Sequence, residues 1–402
     1  MTGDTGARMS SAAEDVSGRG PGANPAAAPS QRLVALDGVR GITIVLLVLG
    51  HTALVWPDNP VNQVPLLRGF FLGGTVTIFF VVGGYIVARN LLHLLDEGHL
   101  DPVVFYARRI VRLGVQLVPL LAILILVSAI DSTDPYTPKQ NLSSAVNVLT
   151  FTFNDTLADS PLLARADLAH LWYLCVQQQV YLLLPLVLLL LHRRRSLLGL
   201  LMVVLFVLVT VNRFEVHDHR GWFDASVLTT TRSDGLFLGV ALAVLEPWLR
   251  RRPRFGTLLL NVSLVAMLAL VLISGEVGSR PYLGTWGVAA VLVATTLVAG
   301  ITTASGPARG RRLLSWSPLC WLGRASLVIY LWHYPIMFGV GRHVTDWSRP
   351  AQLLTMLGLL VVVTVVGQRY IEEPTRRFLR DSEWLSTRPD HDVPIGAPGG
   401  TT

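Results

Sequence analysis

The sequence predicts an all-α, polytopic integral membrane protein with about ten transmembrane helices and both termini cytoplasmic. Three observations carry that expectation. Of the 402 residues, 51% are hydrophobic and only 15% are charged, against about 25% charged in an ordinary soluble domain. Mean hydropathy is +0.52, and apolar runs long enough to cross a bilayer recur about every thirty residues, more than a soluble interior can hide. The arginines fall in short clusters between alternate runs, as a positive-inside bias places them.

Residues 1–32 are rich in Gly, Ala, Ser and Pro, show no apolar period and read as a disordered cytoplasmic tail. They lack the apolar stretch and cleavage site of a secretory signal. The transmembrane domain occupies 33–380. Within it the spans fall at about 39–56, 70–88, 113–130, 171–191, 197–213, 226–246, 256–274, 283–303, 318–341 and 352–372. Gly284 and Gly287 soften the eighth, and Arg232 and Asp234 place charge in the sixth. Residues 381–402, ending STRPDHDVPIGAPGGTT, form a second disordered tail.

Arginine counts orient the chain. With the N-terminus inside, the inner loops hold Arg89, Arg108, Arg109 and Arg112, then Arg193–Arg195, Arg250–Arg252 with Arg254, and Arg309, Arg311 and Arg312. Arg376, Arg377 and Arg380 follow the last span, whereas the outer loops hold Arg68, Lys139, Arg165, Arg220, Arg280 and Arg349. The longest outer loop, about 131–169, carries DSTDPYTPKQN and NDTLADSP, turn residues without helical period. It reads equally as a wall of an extracytoplasmic substrate site or as an ordered spacer.

The net charge of +7, from 33 basic and 26 acidic residues, does not point to nucleic acid, because its basic residues sit where membrane topology puts them. Cys175 and Cys320 have no partner at metal-ligand spacing and read as small packing residues, which excludes a disulfide scaffold. No Gly-rich phosphate loop, HExxH, CxxC or G-x-S-x-G elbow occurs, so no resident metal or bound cofactor and no covalent triad are expected.

Several polar residues interrupt the apolar runs. Arg40 and His51 share the first span. Eleven residues at about 100° each bring them to one face, about 16 Å apart along the axis. An Arg at the inner edge suits phosphate oxygens, and a neutral imidazole at mid-span is what a general base requires. The bland alternative is a snorkelling Arg and a His bonded between helices. Arg108, Arg109 and Arg112 lie at the same surface as Arg40, with Arg108 and Arg112 on one face; they read as a phosphate cluster or as an ordinary inner anchor.

His170 opens the fourth span, in which Gln177, Gln178 and Gln179 are three successive amides. Amides in lipid are costly, so some of them must face partners or a cavity. Trp172 and Tyr173 read as interface-belt residues. Arg232 and Asp234, two apart, cannot pair along a regular helix, so each needs another partner or the helix is irregular. His333 lies about 20 Å from the inner edge of the ninth span, and Pro335 frees a carbonyl near it. Pro374 is expected to stop the tenth span beside Glu372, Arg376 and Arg377.

These motifs in this order resemble the acyltransferase 3 family of membrane-bound O-acyltransferases. The resemblance covers about residues 32–380. It rests on LDGVRG with Arg-x10-His, FFVVGGYIV, ARRIVRLGVQLVP, HLWYLCVQQQVYLLLP, RSDGLFLG, SLVIYLWHYP and YIEEPTRR. The resemblance implies transfer of an acyl group, often acetyl, from cytosolic acyl-CoA to a hydroxyl of an extracytoplasmic glycan, lipid or small molecule. It makes Arg40 and His51 the essential pair and Arg108, Arg109 and Arg112 the basic motif. The acyl-CoA phosphates would meet Arg40 and that cluster, and the thioester would reach His51, which acts as base or briefly carries the acyl group.

His170, Gln177, Arg232, Asp234 and His333 are expected around the acceptor or behind the reacting groups. Gln177 stands where the family carries a carboxylate, and it bonds without taking a proton; Gly83 and Cys175 stand where Ser is common. Two other readings stay open: a membrane carrier with buried polar groups along its path, and a catalytically impaired relative that binds or scaffolds a partner.

Overall fold

The computed structural model describes residues 31–56, 58, 74–273, 280–304, 309–382, 384 and 385. The expected tails at 1–30 and 386–402, the loop residue Arg68 and the first residues of the second span lie outside the described residues. No strand occurs among the described residues.

The elements run α1 Gln31–Val55, α2 Gly74–Asp96, α3 Pro102–Ile130, α4 Pro138–Leu149 and α5 Phe153–Asp159. Short 3-10 turns at Pro161–Leu163 and Ala166–Leu171 lead into α6 Trp172–Leu191. Then come α7 Arg195–Arg220, α8 Trp222–Val227, α9 Thr229–Arg232, α10 Asp234–Arg250, α11 Pro253–Ile273, α12 Arg280–Leu283 and α13 Thr285–Thr303. The chain closes with α14 Arg309–Leu314, α15 Ser317–His343, α16 Arg349–Gly367, a π-turn Gln368–Glu372 and α17 Glu373–Asp381.

Among the described residues, eight stretches are long and apolar enough to cross a membrane: α1, α2, α3, α6 with its preceding turn, α7, α11, α13, and α16 continuing into α17. Helices α10 and α15 overlie the sixth and ninth expected spans; α10 has 17 residues, and α15 carries Arg324, His333 and Arg342. Leu190, Val265 and Leu354 are 73%, 71% and 71% exposed. Such apolar surface on long helices belongs in lipid, so the protein is a multi-pass membrane protein.

One buried cluster joins α2 and α10 with α6, α7, α11 and α13. A second joins α1, α3, α15 and α16 with the segment at 138–171. Helices α1 and α15 meet through glycine. A Cβ on Gly41 would stand 2.1 Å from the Leu319 carbonyl oxygen, and one on Gly323 would stand 1.8 Å from that of Asp37. Only hydrogen at those positions lets the two backbones touch. The helices run parallel, which sets Arg40 beside Ser326 and, further along, His51 beside His333.

Three expectations are corrected. The sixth span is not one helix: Leu228 is extended and Ser233 interrupts, so three helices replace the stretch 226–246. Pro374 does not end the last span. It sits in the first turn of α17, where its missing N–H costs nothing, and the π-turn before it absorbs the change of register. The segment 131–169 is not turn without helix. Thr137 and Gln140 form a capping box for α4, and Arg165, expected in an outer loop, is 1% exposed.

Arg165 donates from Nε and Nη2 to Asp167 at 3.0 and 2.7 Å, reaches Asp134 at 3.3 Å and Asn141, and lies over the Tyr136 ring. Burial and the neighbouring Asp167 push the Tyr136 hydroxyl up from its ordinary pKa. This polar knot ties the segment to itself. The helix α1 begins inside the stretch read as the first tail, and Leu385 is 3% exposed within the stretch read as the second.

Candidate active site

A cavity of about 740 Å³ opens beside the exposed turn from α2 to α3, where His93, His99 and Asp101 stand, and runs inward. Five arginines line it: Arg40, Arg108, Arg109, Arg112 and Arg376. Asp101 is the one carboxylate among its described lining residues. The four arginines expected to hold phosphate are thus brought together, with Arg376 added. Each is anchored. Arg40 donates to Ser326 Oγ at 2.8 Å and contacts Asp37 at 3.4 Å. Arg108 donates to the Leu379 and Leu385 carbonyls. Arg109 donates to Gln178 and covers the Tyr181 ring at 4.0 Å.

Glu372, 1% exposed, takes Arg112 at 3.4 Å, Arg376 at 3.0 Å and the Gln116 amide at 3.2 Å. Glu372 therefore holds two of the arginines of the cavity wall. A buried carboxylate behind two arginines fixes their heads while leaving positive charge facing the space.

The same wall carries neutral polar groups: Gln177, Gln178, Tyr181, Tyr173, Ser326 and Tyr330. The three glutamines are accounted for. Gln177 donates to the Tyr173 hydroxyl at 3.0 Å, Gln178 accepts from Arg109, and Gln179 holds the Phe151 carbonyl at 2.6 Å, Asn154 and Thr229. Gly83 makes room for this wall, since a Cβ there would stand 2.6 Å from the Gln177 amide nitrogen and 2.7 Å from the Tyr181 hydroxyl. Tyr173 is no interface-belt residue; it lines the cavity and packs on Phe80.

Beyond Tyr330 lie three histidines. The His51 Nδ1 is 2.7 Å from the His333 Nε2. His333 Nδ1 is 2.7 Å from the Tyr330 carbonyl and 3.2 Å from that of Ile329, not at the Leu331 carbonyl that Pro335 frees. The His170 ring stands 4.9 Å from those of His333 and Tyr334, and the Tyr330 hydroxyl donates to its carbonyl. His333 is 0% exposed and His170 3%, whereas His51 keeps intermediate exposure. Tyr330 joins the two parts, its ring 5.1 Å from His170 and 6.0 Å from His333, and 5.6 Å from that of Tyr173.

Gln177 stands in the cavity wall bonded to Tyr173, whereas the ring nitrogen facing His51 is that of His333. Arg232 and Asp234 stand elsewhere. Asp234 takes Arg213 at 2.5 Å, and Arg232 lies over Trp172 at 5.7 Å. Sequence reasoning missed Arg213, although a charge inside an apolar run was the available signal. It also missed Ser326, Tyr330 and Arg376, which lie inside quoted motifs but were given no role there.

A family model described as an acyltransferase domain matches residues 33–367. The peptidoglycan O-acetyltransferase OatA of Listeria monocytogenes is 27% identical over 370 residues, 85% of this chain and 56% of that protein. The O-acetyltransferase OatA of Staphylococcus aureus is 26% identical over 369 residues, 86% of this chain and 57% of that protein. The chain thus spans just over half the length of these curated relatives. No solved structure matches. A single domain model matched over most of the chain, on helices that place Arg40 and His51 as described, shows that the chain belongs to the acyltransferase 3 family.

Proposed function

We propose that this protein is an O-acyltransferase that moves an acyl group, an acetyl group in the first instance, from a phosphate-bearing thioester of the acyl-CoA type to a hydroxyl of a glycan across the membrane. The observation that carries the reading is the cavity. Its wall carries five arginines beside neutral polar groups, Arg40 bonded to Ser326 and Arg109 to Gln178, and Tyr330 of the same wall packs against the histidine cluster. A wall of that mixed chemistry suits a donor with an anionic head and an uncharged arm ending in a thioester.

The open end of the cavity would face the cytosol, in keeping with the arginine clusters of the loops. Arg40, Arg108, Arg109, Arg112 and Arg376 would hold the phosphates. His51 would take the proton of the acceptor hydroxyl as it attacks the thioester carbonyl, or carry the acyl group between the two half-reactions. The glycan acceptor is suggested by the relatives, two of which are named as O-acetyltransferases, one of peptidoglycan.

The test is transfer from labelled acetyl-CoA by purified full-length protein, wild type against His51→Ala and Gln177→Glu. Thiol release or labelled product that is present in wild type and lost in His51→Ala supports the reading. Transfer retained by His51→Ala at equal expression sinks it. Gln177→Glu tests whether a carboxylate in the cavity wall raises the rate.

A further inference from the structure

The three histidines leave one question of chemistry open: which nitrogen of His51 carries the lone pair. The carbonyls of Tyr330 and Ile329 can only accept, so Nδ1 of His333 carries the proton that points at them. In the neutral ring Nε2 of His333 is then an acceptor. It lies 2.7 Å from Nδ1 of His51, which must donate. The lone pair of His51 is therefore on Nε2, the nitrogen on the far side of the ring from His333. The tautomer of the one partly exposed histidine is dictated by two backbone carbonyls that it never touches.

Resting on the reading of His51 as the reacting group, we infer that His333 is a positioning residue that holds His51 as the Nδ1–H tautomer and shares the charge formed in the reaction. The arrangement resembles the way a carboxylate fixes a catalytic imidazole, but with a second histidine in the carboxylate's place.

In the transfer step the acceptor oxygen forms a bond to the thioester carbonyl carbon, and its proton passes to His51 Nε2. The proton on His51 Nδ1 moves toward His333 Nε2, and the positive charge is spread over both rings. The carbonyls on His333 Nδ1 stabilise it there. When the carbon–sulfur bond breaks, the thiolate takes a proton back from His51, and both rings return to their starting forms. A carboxylate is not needed behind His51, consistent with Gln177 standing in the cavity wall instead.

Ring packing adds the geometry this needs. His51 and His333 lie within 13° of parallel, the edge of His51 rests on Tyr334 at 4.8 Å, and His170 closes the far side of His333. His333 is wholly buried, so its Nε2 has no water to bond in place of His51.

The experiment uses full-length protein in detergent, labelled with ¹⁵N-histidine. Nuclear magnetic resonance separates protonated from unprotonated ring nitrogens, and His51→Ala assigns the signal. The wild type is expected to show His51 protonated at Nδ1 and unprotonated at Nε2. In His333→Leu the population should move to the other tautomer, and kcat for transfer from acetyl-CoA to chitotetraose should fall about 100-fold or more with donor KM little changed. His333→Gln, whose side-chain oxygen reaches the place of Nε2, should restore both the tautomer and part of kcat.

An Nε2–H tautomer in the wild type overturns the inference, as does wild-type kcat in His333→Leu. Loss of kcat in His333→Leu with the tautomer unmoved overturns it too, because the role would then be structural. Transfer retained by His51→Ala would instead sink the parent reading, and the tautomer measurement keeps the two failures apart.

Discussion

Arg40 donates from Nη2 to the hydroxyl of Ser326 across 2.8 Å, and the contact exists because α1 and α15 touch backbone to backbone at Gly41 and Gly323. The guanidinium is thereby fixed in the cavity wall, with Asp37 at 3.4 Å on its other side. A hydrogen bond to a charged group contributes about 1.5–3 kcal/mol. Ser326→Ala should therefore raise donor KM about tenfold while kcat changes little. Arg40→Lys should do at least as much, since an ammonium cannot fork between Ser326, Asp37 and a phosphate. Steady-state kinetics with acetyl-CoA decides it: an unchanged KM in both variants removes Arg40 from the donor site.

Charge in the cavity should show as salt dependence. Five arginines and one carboxylate line it, and exposed charge is screened as ionic strength rises. Calorimetric affinity for CoA is expected to fall about tenfold between 50 and 500 mM salt, an order-of-magnitude expectation from that screening. In Arg109→Gln the affinity should be lower and its salt dependence shallower. An affinity indifferent to salt would argue for an uncharged donor.

Gly83 and Gln177 should behave as a pair. A Cβ at 83 would stand 2.6 Å from the Gln177 amide nitrogen, closer than any real contact. Gly83→Ala is expected to lower the thermal midpoint. Gln177→Ala added to it should recover part of the loss, with a coupling of about 1 kcal/mol or more, as for residues in direct contact. Additive losses would mean the wall relaxes independently at the two positions.

The segment before α6 should depend on its buried arginine. Arg165 is held by Asp167 and Asp134, all within about 2% exposure of their side chains. Arg165→Leu strands Asp167 and leaves Asp134 with Arg342 at 3.8 Å, and removing one partner of a buried pair costs about 3–5 kcal/mol. Replacing Arg165, Asp134 and Asp167 together by apolar residues should cost less than Arg165→Leu alone. Thermal unfolding in detergent would show the order, and the reverse order would mean that Arg165 does not hold this segment.

Much of this protein was legible along the chain. Helical spans follow from apolar runs, since a bilayer accepts only helices or closed barrels. The alignment of Arg40 with His51 on one face follows from eleven residues of a regular helix. The ARRIVRLG cluster and the intramembrane His333 could be marked because charge and imidazole are costly in lipid.

What the sequence left open was contact between distant elements. The buried pair of Arg213 with Asp234 joins two helices, and Arg165 reaches Asp134 and Asn141 as well as its neighbour Asp167. A hydropathy pattern records how apolar a stretch is and not what its polar members meet. For the same reason nothing along the chain shows that Glu372 holds Arg112, 260 positions away.

The sequence by itself determined the membrane setting and the helical class, because those depend on composition and local period alone. The tertiary structure decided which residue stands behind His51. Nothing in a linear pattern says that position 333 will meet position 51, 282 residues away, at 2.7 Å. That depends on two glycines bringing parallel helices into contact, and on two carbonyls fixing a proton that passes its constraint to the neighbouring ring.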